Sequence, residues 1–366
     1  MTKYRAAIVG LPGIGGGPLP SNPPHSGMGI ELPAETLAAC WTHAGGYALT
    51  PEVEMVAVCD LKEELIAKFL SHYGSTWPNV RTYTDYKKML ADEDIDLLSV
   101  VTSDHLHAQI VVDAAGSGVR GILCEKPLAT TLADADRMIE ACERNNVAIT
   151  VDYFRRYRPH WNSAVREFWD GPLGAVRRIL ASYGGPRSML FRNGSHMIDA
   201  VCWYAGGEPE WAIGVLDEEH QEYGPSYAGD GGKSPDTDPG GSGLVQFDNG
   251  VRAFINISKR TSAEMELDIY AEEGRLRISN QSAEVWQPTT EGVPIIMAHR
   301  TLPVPMTHRI DTPAAVADLI QAIETGSETA SAPREARKSL SIILAMLQSQ
   351  AAGNIPVRFP IIDPGA

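Results

Sequence analysis

A chain of 366 residues, 43% hydrophobic and 21% charged, is long enough for two packed domains rather than one. Its formal net charge of −15, with no basic block anywhere, excludes a sequence-independent grip on a phosphate backbone, so nucleic acid is not an expected partner. The apolar stretch after Met1-Thr2-Lys3-Tyr4-Arg5 is cut by Gly10 and Pro12, too early for a signal segment or membrane span, and the 5 cysteines form no CxxC pair. The expectation is a cytoplasmic protein with no membrane partner, reduced buried thiols, no disulfide and no metal.

In chain order, the first half alternates strand and helix. Strands are expected at 6–9, 54–59, 97–101, 121–124 and 147–152, with helices at 34–48, 62–73, 108–115 and 132–144. Short runs rich in Val and Ile between amphipathic helices predict an α/β, doubly wound Rossmann parallel sheet covered on both faces. The ligand crevice then lies at the strands' carboxyl ends. After residue 150 the strands lengthen and alternate with polar residues, at 177–183, 243–247, 251–258, 265–271 and 275–279, some joined by Asn249-Gly250 or Glu273-Gly274 turns. That predicts an α+β domain with a large, mostly antiparallel open sheet. Residues 218–243, rich in Gly, Pro, Asp and Ser, read as a surface loop or insertion, and 313–325 and 334–351 as amphipathic helices, the second closed by Gly353. The expected division is 1–150 for a dinucleotide and 151–366 for substrate binding and oligomerisation.

The first strand runs into Gly10-Leu11-Pro12-Gly13-Ile14-Gly15. A dinucleotide turn needs one glycine for the bend, one for close approach of the pyrophosphate and one to seat the helix; here Pro12 takes the middle place and removes an N–H. Asp60 ends the next strand, where a carboxylate accepts from the ribose hydroxyls of NAD and repels a 2′-phosphate, so NAD is expected and NADP disfavoured. Leu61 follows it, no arginine is adjacent, and Lys62 is close. Asp60 stands 50 residues after Gly10, far more than the fingerprint spacing. The excess, 16–33 with Pro18, Pro20, Pro23 and Pro24, cannot be helical and reads either as a surface excursion or as a flap over the cofactor.

Further runs carry a resemblance: Ala7-Ile8-Val9-Gly10, Val58-Cys59-Asp60, Val101-Thr102-Ser103-Asp104-His105-Leu106-His107-Ala108, Cys124-Glu125-Lys126-Pro127-Leu128-Ala129, Tyr153-Phe154-Arg155-Arg156-Tyr157-Arg158-Pro159 and Gly194-Ser195-His196-Met197-Ile198-Asp199. Over nearly its whole length the chain resembles the glucose–fructose oxidoreductase, inositol dehydrogenase and rhizopine-catabolism family, Gfo/Idh/MocA. The resemblance implies that Gly10, Gly15 and Asp60, with the rest of the turn and Leu61, bind the dinucleotide beside Thr102, Ser103 and His107. It places Glu125 near the nicotinamide and Lys126 against both the nicotinamide ribose and the reacting hydroxyl, with Pro127 cis. An ammonium there stabilises the alkoxide-like oxygen that develops as hydride leaves. His196 is the implied proton acceptor, its imidazole near pKa 6.5 in the free state and its help as a base worth roughly 10² to 10⁴ in rate.

Asp199 falls on the same helical face as His196 and is expected to reach substrate or orient the imidazole. Arg156 and Asn193 are further candidate substrate contacts. The chain departs from the family where an aspartate commonly stands four residues before the histidine: here it is Arg192. Ser103-Asp104 replaces the more usual proline-asparagine. Arg192 is expected either to project into the site holding Lys126, making it electropositive and suited to a sugar acid, or to turn outward to a surface acid. Trp203, Tyr204 and Met189-Leu190 read as core rather than a sugar-stacking platform. Three functions stay open: an NAD-dependent dehydrogenase acting on a secondary hydroxyl of a sugar, cyclitol or sugar acid; an NAD-dependent glycosidase or lyase using transient oxidation; and a non-catalytic dinucleotide-binding regulator. A homodimer or homotetramer is expected.

Overall fold

A computed structural model describes residues 4–16, 39–217, 227, 238–262, 264–289, 296–304, 307 and 309–361. Six strands, β1 (Tyr4–Val9), β2 (Val53–Cys59), β3 (Arg81–Tyr83), β4 (Leu97–Val100), β5 (Gly121–Cys124) and β6 (Ala148–Val151), form a wholly parallel sheet in the order β3-β2-β1-β4-β5-β6. β4 and β5 are buried at every position, as strands covered on both faces must be. The strand order reverses between β1 and β4, which opens the crevice at their carboxyl ends.

The helix predicted over 34–48 is shorter where it is described, α1 (His43–Ala48). It rejoins the glycine turn directly: His43 N donates to the Ile14 carbonyl at 2.8 Å and Ala44 N to the Gly15 carbonyl at 3.0 Å. Thr42 caps α1 by accepting from Gly45 N at 3.0 Å. The chain therefore departs between the turn and its helix and returns to complete the same backbone ladder, which explains the long spacing to Asp60. The predicted 16–33 excursion lies outside the described residues except for Gly16, and the 218–243 loop largely so.

The second sheet has nine strands: β7 (Val176–Gly184), β8 (Pro209–Leu216), β9 (Gly241–Phe247), β10 (Arg252–Ser258), β11 (Glu266–Ala271), β12 (Gly274–Ser279), β13 (Ala283–Pro288), β14 (Met297–Thr301) and β15 (Val357–Arg358). Their order is β14-β13-β12-β11-β7-β10-β9-β8-β15, antiparallel except for the parallel β7–β10 pair. Its inner face buries Ile179, Val245, Ile255 and Leu267, in one core with Val201 and Leu344 from the helices Gly194–Ala205 and Pro333–Ala351. Its outer face carries an apolar row across four strands, in which Ile213 pairs with Leu244, Leu244 with Phe254, and Phe254 with Leu180; the last two are 44% and 41% exposed.

Helix Asp311–Thr325 returns to the first sheet, where Ala315, Val316 and Leu319 share a core with Ala6, Ile8 and Leu97. A buried clamp fixes that return: Arg158 donates from Nε to Asp311 Oδ1 at 2.7 Å and from Nη2 to Oδ2 at 3.0 Å. Asp311 has φ 50°, a left-handed conformation that Asp and Asn tolerate better than most side chains. Asp311→Asn keeps that tolerance while removing the charge opposite a buried guanidinium. It is expected to cost about 3–5 kcal/mol in urea-unfolding experiments.

Candidate active site

At the end of β1 two of the turn's glycines, Gly10 and Gly15, are required by space. A Cβ on Gly10, whose φ is +95°, would lie 2.3 Å from the Val101 carbonyl oxygen, and one on Gly15 would lie 2.2 Å from the Gly10 carbonyl oxygen. Gly13, at φ +60°, faces open space with no atom within 4 Å of a Cβ. Asp60 is drawn against this turn: its Oδ2 accepts from Leu11 N and its Oδ1 from Lys62 N, each at 3.0 Å. Each oxygen keeps a further lone pair for another donor. Pro12, Gly13 and Ile14 are exposed and Gly15 is buried. Leu11 and Leu61, both expected at the cofactor, differ in exposure. The Leu11 side chain is 2% exposed and belongs to the core, and its N–H is already donated to Asp60. Leu61 is 82% exposed and does not pack against the turn.

Across the crevice, Thr102 and Ser103 are half-buried at the end of β4. His107 is not presented there. Its fully buried ring lies with Nδ1 3.0 Å from the Pro127 carbonyl and Nε2 3.3 Å from the Thr102 carbonyl, which ties the loops after β4 and β5 together.

Lys126 follows β5, and the Lys126–Pro127 peptide is cis. Its Nζ donates to the Arg192 carbonyl at 3.0 Å, and that carbonyl also accepts from Ser195 Oγ at 2.9 Å. The bond joins the first sheet's crevice to the start of helix Gly194–Ala205, which carries His196 in its first turn. Burial, and after it the Arg192 guanidinium, pushes Lys126 down to about 8. His196 lies against the rings of Phe154 and Tyr153, with centroids at 4.7 and 5.6 Å, and its Nδ1 has no hydrogen-bond partner. Burial, reinforced by Lys126, Arg155, Arg158 and Arg192, holds the imidazole well below its ordinary range, so it is neutral around pH 7.

Most of the remaining expected substrate contacts have partners within the protein. Asp199 neither orients His196 nor faces a free pocket: its carboxylate takes Arg156 Nε at 2.9 Å and Nη2 at 2.9 Å, and both side chains are buried. The planar guanidinium fork matches a carboxylate, and once the two are desolvated together neither is available to a ligand. Arg192 pairs with a buried acid rather than a surface one, and lies close enough to Lys126 to act on its charge. It donates from Nη2 to both oxygens of buried Asp104 at 3.2 Å, and Asp104 also accepts from Tyr227 at 2.7 Å. The pairing offsets its charge in part, and the guanidinium still lowers the pKa of Lys126 and of His196. Asn193 is half-buried just ahead of the helix and makes no side-chain cap. Met189, Leu190 and Tyr204 are core and Trp203 half-buried, with the Arg156 guanidinium over its ring at 5.4 Å.

A buried group behind Lys126 escaped the sequence reading. His43 Nδ1 lies 2.8 Å from Ser99 Oγ, which lies 2.9 Å from Tyr47 OH; His43 Nε2 lies 3.3 Å from Glu125 Oε1 and 3.6 Å from Asp152 Oδ2. His43 joins the crevice through its N–H bond to the Ile14 carbonyl, although it stands 27 positions after Gly16, and a linear spacing hides that.

Comparison with known proteins agrees with this architecture. Residues 36–153 match the profile of the oxidoreductase family with an NAD-binding Rossmann fold, and residues 160–277 that of the GFO/IDH/MocA C-terminal domain. The chain is 37% identical over 121 residues to D-apiose dehydrogenase of Paraburkholderia graminis, covering 33% of this chain and 31% of that protein. It is 24% identical over 255 residues to myo-inositol 2-dehydrogenase of Thermotoga maritima, covering 65% and 71%. Matched segments thus span from about a third to about seven-tenths of these relatives' lengths. Levoglucosan dehydrogenase, solved with NADH and L-sorbose, superposes with a TM-score of 0.76 at 19% identity, covering 99% of this chain and 100% of that one.

The two types of glycine separate by substitution. Gly13→Ala is expected to cost about 1–2 kcal/mol, the penalty of a left-handed alanine. Gly15→Ala should cost more, because the Gly10 carbonyl must move. Guanidinium unfolding of both variants measures the difference.

Proposed function

Because the chain belongs to the Gfo/Idh/MocA oxidoreductase family, with its NAD-binding Rossmann fold, we propose that it is an NAD-dependent dehydrogenase that oxidises a secondary hydroxyl of a neutral sugar or cyclitol. The observation that carries this reading is the 3.0 Å bond from Lys126 Nζ to the Arg192 carbonyl, which brings a buried ammonium from the nucleotide crevice to the helix that bears His196. The sugar and cyclitol substrates in the names of the relatives support the substrate class. Arg192's pairing with Asp104 favours a neutral substrate over a sugar acid in this reading.

The residues present fit the dinucleotide. The open space over Gly13 leaves room for backbone–phosphate approach, and Asp60 retains acceptor capacity at the end of β2. Gly10, Gly13, Gly15, Asp60, Thr102 and Ser103 would hold it, and NAD when bound would supply the hydride acceptor. The chain's own residues handle the proton and the oxygen. Lys126, lowered to about 8, takes up the hydroxyl proton as the neutral amine, and the ammonium so formed hydrogen-bonds the reacting oxygen and stabilises the charge that develops there. A neutral His196, in the first turn of the helix reached by Lys126, accepts a hydrogen bond from the same hydroxyl and aligns it. Such a weakly basic imidazole is a poor final proton acceptor, so the exchanging group is Lys126, a change from the role the resemblance gives His196.

Division of labour follows the two sheets in this proposal, residues 1–150 serving the cofactor and 151–366 the substrate and subunit contacts, with helix Asp311–Thr325 returned to the first sheet. The row Ile213, Leu244, Phe254 and Leu180 supports a second copy of the chain packing on the outer face, as a homodimer or homotetramer. Five unpaired, buried cysteines support a cytoplasmic site of action. No helix among the described residues is long and apolar enough to cross a membrane.

Three measurements test the proposal. In titrations NAD is expected to bind about tenfold tighter than NADP, about 1.4 kcal/mol, and Asp60→Ala to narrow the gap; equal affinities in the parent protein would contradict the role of Asp60. On a polyol panel read by NADH appearance, Lys126→Ala and His196→Ala should each lower kcat/KM by roughly 10²-fold or more while NAD affinity stays within about tenfold. Arg192→Ala should leave neutral sugars preferred over their acids; a parent preference for acids would contradict the neutral-substrate reading.

A further inference from the structure

Four segments meet behind Lys126: α1 brings His43 and Tyr47, β4 Ser99, the end of β5 Glu125, and the residue after β6 Asp152. Tyr47, Ser99, His43, Glu125 and Asp152 are all buried. One order of donors satisfies the chain: Tyr47 O–H donates to Ser99, Ser99 O–H donates to His43 Nδ1, and His43 Nε2–H donates to Glu125 Oε1. The other oxygen of Glu125, Oε2, accepts from the backbone N–H of Lys126 at 3.2 Å. The Glu125 carboxylate thereby ties the imidazole to the backbone of the lysine.

That order leaves no donor for Asp152. Its Oδ1 is buried without a partner, and its Oδ2 stands 3.6 Å from an Nε2–H already aimed at Glu125. The imidazole and carboxylate atoms lie within 4.8 Å of one another, so two ionised carboxylates would share one buried spot with a single N–H between them. A carboxyl there is far less costly neutral than charged.

Resting on the dehydrogenase reading for what Lys126 does, we propose that His43 and Asp152 are positioning residues for Lys126, Asp152 carrying a proton at neutral pH so that Glu125 is the one ionised carboxylate of the group. The charged and titratable groups facing Asp152 are Glu125 from β5, His43 from α1, Lys126, and Asp311 at the start of its helix, itself clamped by Arg158. Burial first, then Glu125, raises the Asp152 carboxyl to about 7. Glu125 itself is held below its ordinary value: burial works against this, but the hydrogen bond from His43 and the charge of Lys126 outweigh it. When pH rises past neutrality Asp152 ionises, adds a second negative charge beside Lys126 and strengthens the lysine's hold on its proton.

The sign follows for stability. Between the ordinary carboxyl value near 3.8 and about 7 the folded chain holds this proton more tightly than the unfolded chain, so the contribution of Asp152 to stability falls as pH rises through that window. Asp152→Asn mimics the protonated form and cannot ionise. Its Tm relative to the parent protein is expected to rise from pH 5 to about pH 7 and to level off above that, and the limb of the rate profile set by Lys126 to move about one pH unit toward acid. A Tm difference independent of pH would overturn the proposal. Infrared titration needs no substrate: the parent protein should show protonated-carboxyl absorption that fades as pH passes about 7, from Asp152 and from buried Asp238, and Asp152→Asn should lose the Asp152 share of it; identical spectra for parent and variant at pH 6 would also overturn it. So would a stoichiometric divalent ion in the purified protein whose removal by chelator lowers Tm, because a metal would then occupy the place given to the proton. If Asp152→Asn loses part of the infrared band but no polyol is oxidised, the proton assignment stands and the dehydrogenase reading fails.

Discussion

A buried ammonium needs an oxygen, and the oxygen that Lys126 finds belongs to another part of the fold. Its bond to the Arg192 carbonyl spans from the end of β5 to the helix that carries His196, so the relation of the two sheets and the geometry of the crevice are set together. Ser195 shares the same carbonyl, which fixes the first turn of that helix against the lysine. The helix in turn is anchored by Asp199, whose bidentate bond to Arg156 holds it to the segment after β6. Losing the lysine's acceptor would leave a desolvated charge without compensation, a cost larger than that of most single contacts.

Charge is distributed around this bond by pairing. Arg156 meets Asp199, Arg158 meets Asp311 and Arg192 meets Asp104, each pair largely withdrawn from water. The pairs consume the carboxylates and guanidinium groups that a reading of residue types alone would assign to substrate. What is left for chemistry is a lysine whose proton is loosened by burial and by neighbouring cations, and an imidazole that stays neutral. Both conditions suit a site where hydride departs from a carbon and its oxygen must release a proton.

The parallel sheet, the change to antiparallel strands after residue 150, the glycine turn and Lys126 were legible because periodicity and strand-end position are local properties of the chain. The missed elements lack those signals. β14 is exposed along its whole length and shows no apolar alternation, and β8 begins with Pro209 and contains Gly214, both weak strand formers. Pairings over long separations were the least legible: Arg192 with Asp104 spans 88 positions, and Arg158 with Asp311 spans 153. His43 was hidden for a different reason, because the excursion between Gly16 and the start of α1 separates it in sequence from the turn that it completes in space.

Isotope transfer tests the central claim most directly. A polyol carrying deuterium at the oxidised carbon is incubated with the protein and NAD, and the reduced nicotinamide is weighed by mass spectrometry. The account requires one deuterium in the NADH formed by the parent protein and a large loss of that product with Lys126→Ala. Product without deuterium, or the same labelled yield from Lys126→Ala, would contradict hydride transfer organised by Lys126.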